Sequence, residues 1–262
     1  MRIKIYTEHE VKKQWDEVWR IDNIERNMAK LDYPEYWEIF DKYISKEDKL
    51  IEAGCGLGKW INYFSTRGYN ITGIDYSTVA IEALKEYNSS FKVELGDITA
   101  IPFENESFNV YLSFGVLEHL QREEVLQKAI DEIYRILTLN GVAIITIPYL
   151  NIANFKFALQ NHIWSWKTEN KNFFEYNYTI KSFLSHFDLK NKFEIEAIVP
   201  ENIPLILKRK RKYRKNNPTH QFNTNLNEKG LKRWDELLSY PDSSFIRRQN
   251  SHLMIYVLRK KG

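Results

Sequence analysis

Four side chains able to exchange protons or hydrogen bonds with a ligand stand where apolar runs of this sequence break off: Glu52, Asp75, Asp97 and His119. The first break organises the rest. Residues 50–59 read Leu-Ile-Glu-Ala-Gly-Cys-Gly-Leu-Gly-Lys, so Gly54, Gly56 and Gly58 alternate between an apolar run and a helical pattern that begins at Trp60. This is a strand, a tight glycine turn and a helix start. Glycine lets the backbone take positive φ and lets a ligand approach without meeting a Cβ. The free N–H groups of the helix start suit an anionic or electron-rich group. A dinucleotide fingerprint reads G-x-G-x-x-G; here the third glycine comes one residue early.

Asp75 closes the next apolar run, 21 residues after Gly54, where a ribose-binding carboxylate belongs. Such a carboxylate can accept hydrogen bonds from both ribose hydroxyls. Asp97 follows a third run, in Gly-Asp-Ile. Each acid alone is the ordinary acid of a loop; three in order at successive strand ends are a constellation.

The elements that must carry them follow from periodicity. Strands are expected at Lys49–Ala53, Asn70–Ile74, Phe91–Leu95, Ser107–Phe114, Val142–Ile147, Phe193–Val199 and His252–Leu258, and helices at Leu57–Arg67, from Ser77 to Tyr87, at 122–139 and at Thr179–Phe187. Asn140-Gly141 reads as the stop of the long helix. Alternation of strand and helix argues an α/β sheet, mostly parallel and covered on both faces, with ligands at the carboxyl ends of its strands. Residues 8–47 look helical and aromatic, with Trp15, Trp19, Tyr33, Tyr36 and Trp37. They read either as a packing layer on the sheet or as a lid over the ligand. Residues 149–177 are rich in aromatics without clear breaks, and about fifty residues separate the last two strands.

The totals restrict the function classes. A chain of 262 residues with 43% hydrophobic residues suffices for one α/β domain with insertions. A net charge of +3 does not demand nucleic acid. One cysteine allows no internal disulfide and fits a reducing compartment. No apolar run approaches a membrane span, the first residues do not read as a signal peptide, and a cytoplasmic protein is expected.

The glycine turn with its preceding strand resembles motif I of the class I S-adenosylmethionine (SAM) methyltransferases. The resemblance sharpens at Ser113-Phe114-Gly115-Val116-Leu117-Glu118-His119-Leu120, which looks like the V-L-E-H-L run after strand 4 of the small-molecule, methyltransferase type 11-like branch. Ile101-Pro102-Phe103 and Ser107-Phe108-Asn109-Val110 match that branch's "LPF…SFD", with Asn109 in place of the usual Asp. The resemblance covers residues 45–150 well and 178–200 weakly. It implies a Rossmann-like seven-stranded sheet with an antiparallel last strand, and SAM as cofactor, leaving S-adenosylhomocysteine. Glu52, Gly54, Cys55, Gly56, Gly58, Asp75, Tyr76, Asp97, Ile98 and Phe114 would line the cofactor, with Tyr33 and Trp37 as contacts from the lid. Asp97 and the Ile98 backbone would meet the adenine edge.

The same segment excludes neighbouring chemistries. Enzymes that methylate amino groups of adenine or glutamine carry N/D-P-P-Y/F after strand 4. A C5-cytosine enzyme needs a Pro-Cys loop, whereas Cys55 sits inside the glycine turn as a small turn residue. The six histidines are scattered without H-x-x-x-H or C-x-x-C spacing, so no metal is expected. His119 is the first candidate for a general base or substrate contact, with the structural alternative that Glu118 and His119 only shape a helix start. His162 and Tyr176 are further candidates.

The expected organisation is a helical lid (1–47), a SAM-binding core (48–150), an aromatic insertion (151–177), a core continuation (178–200), a basic cap (201–250) and a closing strand (251–262). The expected reaction is methyl transfer to a small-molecule, glycan or lipid-linked acceptor, with oxygen preferred over nitrogen. The basic run 208–215 reads as a solvated loop, or as a contact to phosphates of nucleic acid, a nucleotide-linked sugar or an anionic membrane surface. The alternatives are an RNA-modifying methyltransferase, a silent SAM-binding partner subunit and a nucleotide-dependent oxidoreductase.

Overall fold

The computed structural model describes residues 1–7, 11–28, 34–152, 155, 159–161, 165, 172–201, 251 and 253–262. Its elements run β1 (Arg2–Thr7), α1 (Val11–Ile21), α2 (Ile24–Met28), α3 (Pro34–Tyr43), β2 (Lys49–Ala53), α4 (Lys59–Ser65), β3 (Asn70–Asp75), α5 (Thr78–Tyr87), β4 (Val93–Leu95), β5 (Phe108–Phe114), a single 3-10 turn (Leu117–His119), α6 (Glu123–Ile136), β6 (Leu137–Pro148), β7 (Asn172–Tyr178), α7 (Ile180–Leu184), β8 (Phe193–Glu201) and β9 (Leu253–Lys260).

Seven strands form one sheet in the order β4-β3-β2-β5-β6-β9-β8. The five from β4 to β6 are parallel, and β9 runs antiparallel to both β6 and β8. This is the Rossmann-like order expected, with the last two strands as neighbours despite the stretch between them. The reversal of strand order at β2 and β5 opens the crevice where ligands of such sheets bind.

Successive residues of a strand point to opposite faces, and this sorts the core into two layers. Leu50, Val110, Leu112, Ile144 and Val257 face Phe40, Trp60, Phe64 and Leu84, which come from α3, α4 and α5. Ile51, Ala53, Tyr111, Ile145 and Tyr256 face Ile130, Ile133 and Phe183, from α6 and α7. α5 starts under a true cap: the Ser77 hydroxyl accepts from the Ala80 N–H at 3.2 Å.

Three expectations are corrected. The long helix does not reach Leu139; it ends at Ile136, and Leu137 already belongs to β6. The apolar Ile136-Leu137 pair continued the helical pattern in sequence, but Leu137 pairs with Phe108. The β5–β6 register then jumps from Phe108–Leu137 to Val110–Val142, where Asn140 takes a φ of 63°. Second, residues 2–7 are a strand. Third, part of the aromatic insertion is also a strand: β7 pairs antiparallel with β1 from Arg2–Tyr178 to Thr7–Asn172, forming a separate two-stranded sheet. The pairing brings β7 under α1 and beside the turn after β5. His162, Tyr33, the basic run 208–215 and the remainder of the expected cap lie outside the described residues.

Trp60 is almost wholly buried and its ring meets those of Tyr36, Trp37, Phe40 and Phe114. Removing a large buried aromatic leaves a cavity that cannot fully collapse, so Trp60→Ala should lower stability by about 3–5 kcal/mol. Urea unfolding followed by circular dichroism measures it; a loss below 1 kcal/mol would contradict this packing.

Candidate active site

β2 ends at Ala53 and the chain turns through Gly54, Gly56 and Gly58 into α4. The turn is bonded to β3: the N–H groups of Gly54 and Cys55 both donate to the Ile74 carbonyl, at 2.8 and 3.0 Å. Two of its glycines are required. Gly54 has φ 82°, and a Cβ there would lie 2.4 Å from Val116. Gly56 has φ 49°, and its Cβ would lie 2.8 Å from the Trp19 ring. Any larger residue would be strained by its backbone and would collide with its surroundings.

Asp75 stands at the end of β3 and holds this turn. Its Oδ2 accepts the Gly56 N–H at 2.8 Å and its Oδ1 accepts the Ser77 N–H at 2.9 Å. A carboxylate has about four acceptor positions, so each oxygen keeps one for a ligand. Burial raises the Asp75 pKa, opposed by these two N–H groups, and nearby Asp16 raises it further. Glu52 lies beside it at the end of β2, with Oε2 buried and without a hydrogen-bond partner. Burial pushes the Glu52 carboxyl well above the usual range; Lys59 opposes this and Asp75 adds to it. The result is a bay whose glycine turn is bonded internally, with one hydrogen-bonded carboxylate and one buried acid with an unsatisfied oxygen. Ribose hydroxyls and an amine are donors that suit it.

The other expected cofactor residues distribute unevenly. Asp97 is exposed, and its Oδ1 accepts both the N–H and the hydroxyl of Thr99 at 2.8 Å, while Ile98 is buried behind it. Tyr76 is 45% exposed next to Asp75. The Cys55 thiol is buried and its pKa is pushed well up by burial, which makes it inert. Phe114, at the end of β5, packs on Tyr36 and Trp60. Trp37 sits on Tyr63 at 4.7 Å between ring centroids, and against Phe40 and Trp60. It serves the packing layer of α3 on α4.

The part of the N-terminal region that reaches the bay is α1. Trp19 covers Gly56, and Asp16 accepts from the Ser77 hydroxyl at 2.6 Å. Trp15 meets His119 edge-on at 5.0 Å and stacks with Phe174 at 6.4 Å. Sequence reading placed these tryptophans in a lid or packing layer without choosing them. Their spacing of four, which puts them on one helix face, was the available signal.

His119 lies on the 3-10 turn after β5. Its Nδ1 is 2.7 Å from the Phe174 carbonyl oxygen. A carbonyl only accepts, so Nδ1 carries the hydrogen, and in the neutral ring Nε2 keeps its lone pair. Burial lowers the His119 pKa against the pull of that carbonyl. Glu118 is 3% exposed, with Oε2 unpartnered and its pKa pushed well up by burial and by Glu175. Glu175 of β7 is itself pushed up to about 7 by burial. One ligand atom from each of Glu118, His119 and Glu175 lies within 4.8 Å of the other two. Tyr176, the other candidate from this stretch, is buried and donates its hydroxyl to the Gln121 carbonyl at 3.1 Å.

Residues 51–145 match the family described as "Methyltransferase domain". They are a methyltransferase domain. The match spans β2 to β6, and so includes the glycine turn, Asp75, Asp97 and His119. Among curated relatives, the eEF1A lysine and N-terminal methyltransferase homolog of Drosophila melanogaster is 33% identical over 47% of this chain and 20% of its own. The malonyl-[acyl-carrier protein] O-methyltransferase of Salmonella typhimurium is 29% identical over 37% of this chain and 38% of its own. The chain thus spans less than half the length of these relatives. Among solved structures, a SAM-dependent methyltransferase of Methanosarcina mazei superposes with a TM-score of 0.60 at 15% identity, covering 87% of this chain and 97% of that one. Phosphoethanolamine N-methyltransferase 2 of Haemonchus contortus, in complex with S-adenosyl-L-methionine, gives 0.54 at 17% identity, covering 87% and 52%. These superpositions show the fold. The class of the domain is SAM-dependent, and the bay at Glu52 and Asp75 fits that cofactor's donors.

The methyltransferase domain predicts its own pH response. Burial raises the Glu52 pKa in the fold above its unfolded value, so between the two the folded state binds more protons than the unfolded chain. Its contribution is complete below the unfolded pKa and is lost as pH rises toward the folded one. Stability of the ligand-free chain should therefore fall across that window, and Glu52→Gln should flatten the fall. Denaturant unfolding at a series of pH values checks it; parallel profiles for the two proteins would contradict the burial of this acid.

Proposed function

We propose that the whole chain is a SAM-dependent methyltransferase that acts on a small-molecule, glycan or lipid-linked acceptor. The observation that carries the reading is Asp75. It clamps the glycine turn through Gly56 and retains acceptor positions for a ribose, next to the unsatisfied Glu52.

When bound, SAM supplies an electrophilic methyl group on a sulfonium. The chain's residues align and enclose. Asp75 would fix the ribose, the side-chain-free glycine turn would let the cofactor approach the backbone closely, and Asp97 with the Ile98 backbone would border the adenine. Trp15 and Trp19 exclude water from above. These residues would hold an acceptor's lone pair in line with that methyl group. Positioning is the main contribution of a protein to such a displacement. His119 presents its bare Nε2 toward the acceptor's X–H group, which orients it. An oxygen acceptor suits this contact, and the malonyl O-methyltransferase relative supports that choice. Among the described residues no helix is long and apolar enough to cross a membrane, so a lipid-linked acceptor would be met from outside the bilayer.

Calorimetric titration with S-adenosylhomocysteine, run beside NADH, tests the reading. Micromolar binding of the former alone is expected, and binding of NADH alone would overturn it. Asp75→Asn keeps a side-chain acceptor but removes the charge, and should weaken S-adenosylhomocysteine about tenfold or more with the fold intact. His119→Ala should cut turnover while sparing S-adenosylhomocysteine affinity; unchanged turnover would leave His119 a structural residue.

A further inference from the structure

Glu118, His119 and Glu175 come from two separated stretches, the turn after β5 and the strand β7. They converge next to Gly115, whose Cβ would lie 3.6 Å from Glu118 Oε1. Glu118 Oε2 is buried there without a hydrogen-bond partner. A buried carboxyl and a half-buried one are brought together; Glu175 Oε1 accepts only a long hydrogen bond from the Asn177 amide, at 3.4 Å, and among the described residues no basic side chain is paired with either acid. Buried acids held this way need a cation, or a proton, in their company.

The imidazole discriminates between cations. A histidine that ligates a metal donates its other ring N–H to a carbonyl or carboxylate, which fixes its tautomer. His119 does this toward Phe174 O at 2.7 Å. The rings of Trp15 and Phe174, both about 5 Å from the imidazole, form an apolar wall of the kind that surrounds protein metal sites and limits solvent access. We propose that Glu118, His119 and Glu175 form a divalent-cation site at the acceptor end of the cleft. Two carboxylate oxygens and one imidazole nitrogen suit Mn²⁺, Zn²⁺ or a related borderline cation, and leave positions open for an oxygen-bearing acceptor.

The site's existence is independent of the methyl-transfer reading; its role rests on it. With the cation bound, His119 Nε2 ligates it and the acceptor oxygen is held through the cation; without the cation, Nε2 faces the acceptor directly. Histidine and cysteine spacing led to an expectation of no metal, because the third ligand arrives from β7.

The test uses the full chain, with MnCl₂ and ZnCl₂ as probes in calorimetry, with and without S-adenosylhomocysteine. One equivalent should bind, and Glu175→Gln should weaken it at least tenfold, on the scale of lost metal contacts. Binding of S-adenosylhomocysteine by that variant should stay within about twofold, since Glu175 lies outside the glycine bay. The electron spin-echo spectrum of bound Mn²⁺ should carry modulation from an imidazole nitrogen in the wild-type chain, which needs no variant to fold. Absence of cation binding by the wild type, unchanged binding in Glu175→Gln, or bound Mn²⁺ without nitrogen modulation would each overturn the proposal. Cation binding lost in Glu175→Gln, with no S-adenosylhomocysteine binding by the wild type, would uphold the site and remove the methyl-transfer reading.

Discussion

The arrangement depends on one carboxylate with two backbone partners. Asp75 accepts from Gly56 and from Ser77, and so ties the turn after β2, the end of β3 and the start of α5 to a single point. Charge-assisted bonds of this kind are the stronger class, and here they are shielded from water. The glycine turn could otherwise adopt many conformations, because its residues carry so little steric restriction. Asp75 selects one of them, and Val116 and Trp19 close the space that a side chain would need. The binding bay therefore exists before any ligand arrives, which reduces the ordering that binding would demand.

A second centre is built on different principles. Around His119 the backbone of β7 provides the orienting carbonyl, and side chains from the turn and from β7 provide the acids. Nothing local holds it together. It exists because β1 pairs with β7 and α1 lies across both centres, with Asp16 at Ser77 and Trp15 at His119. The glycine bay is built mainly from neighbouring segments, whereas the cluster around His119 draws on the turn after β5, on β7 and on α1. Divergent acceptors among proteins of one fold are a natural result of that division.

The glycine turn clamped by Asp75 was legible in the sequence because its parts are short motifs at strand ends. The parallel sheet followed from the alternation of periodicities, and its antiparallel last strand from the family resemblance. The acceptor side was legible only in part. His119 stood in a recognisable run, but Glu175 had no local pattern to mark it, since a single acid within an aromatic stretch is ordinary until its strand partner is known. Trp37 and Trp19 looked alike in sequence, two tryptophans in aromatic helices. Packing distinguished them, placing one on Tyr63 and the other on Gly56. The end of α6 was misplaced for a similar reason: Leu137 continues a helical stripe, but its pairing with Phe108 is a tertiary preference that outweighs local propensity.

The β1–β7 pairing also bears on the order in which the molecule takes shape. It joins Arg2 to Tyr178, whereas β2, β3, β4 and β5 pair within a much shorter span of chain. Closing a long loop costs entropy that is recovered only once the remote contact forms, so distant pairings tend to form late. The glycine bay is thus expected to mature early, and the cluster around His119 only when the first strand meets β7. Pulsed amide exchange during refolding would reveal this as earlier protection in β2 and β3 than in β7. Under that order a nascent or damaged chain can carry a finished glycine bay while its His119 cluster is still unassembled.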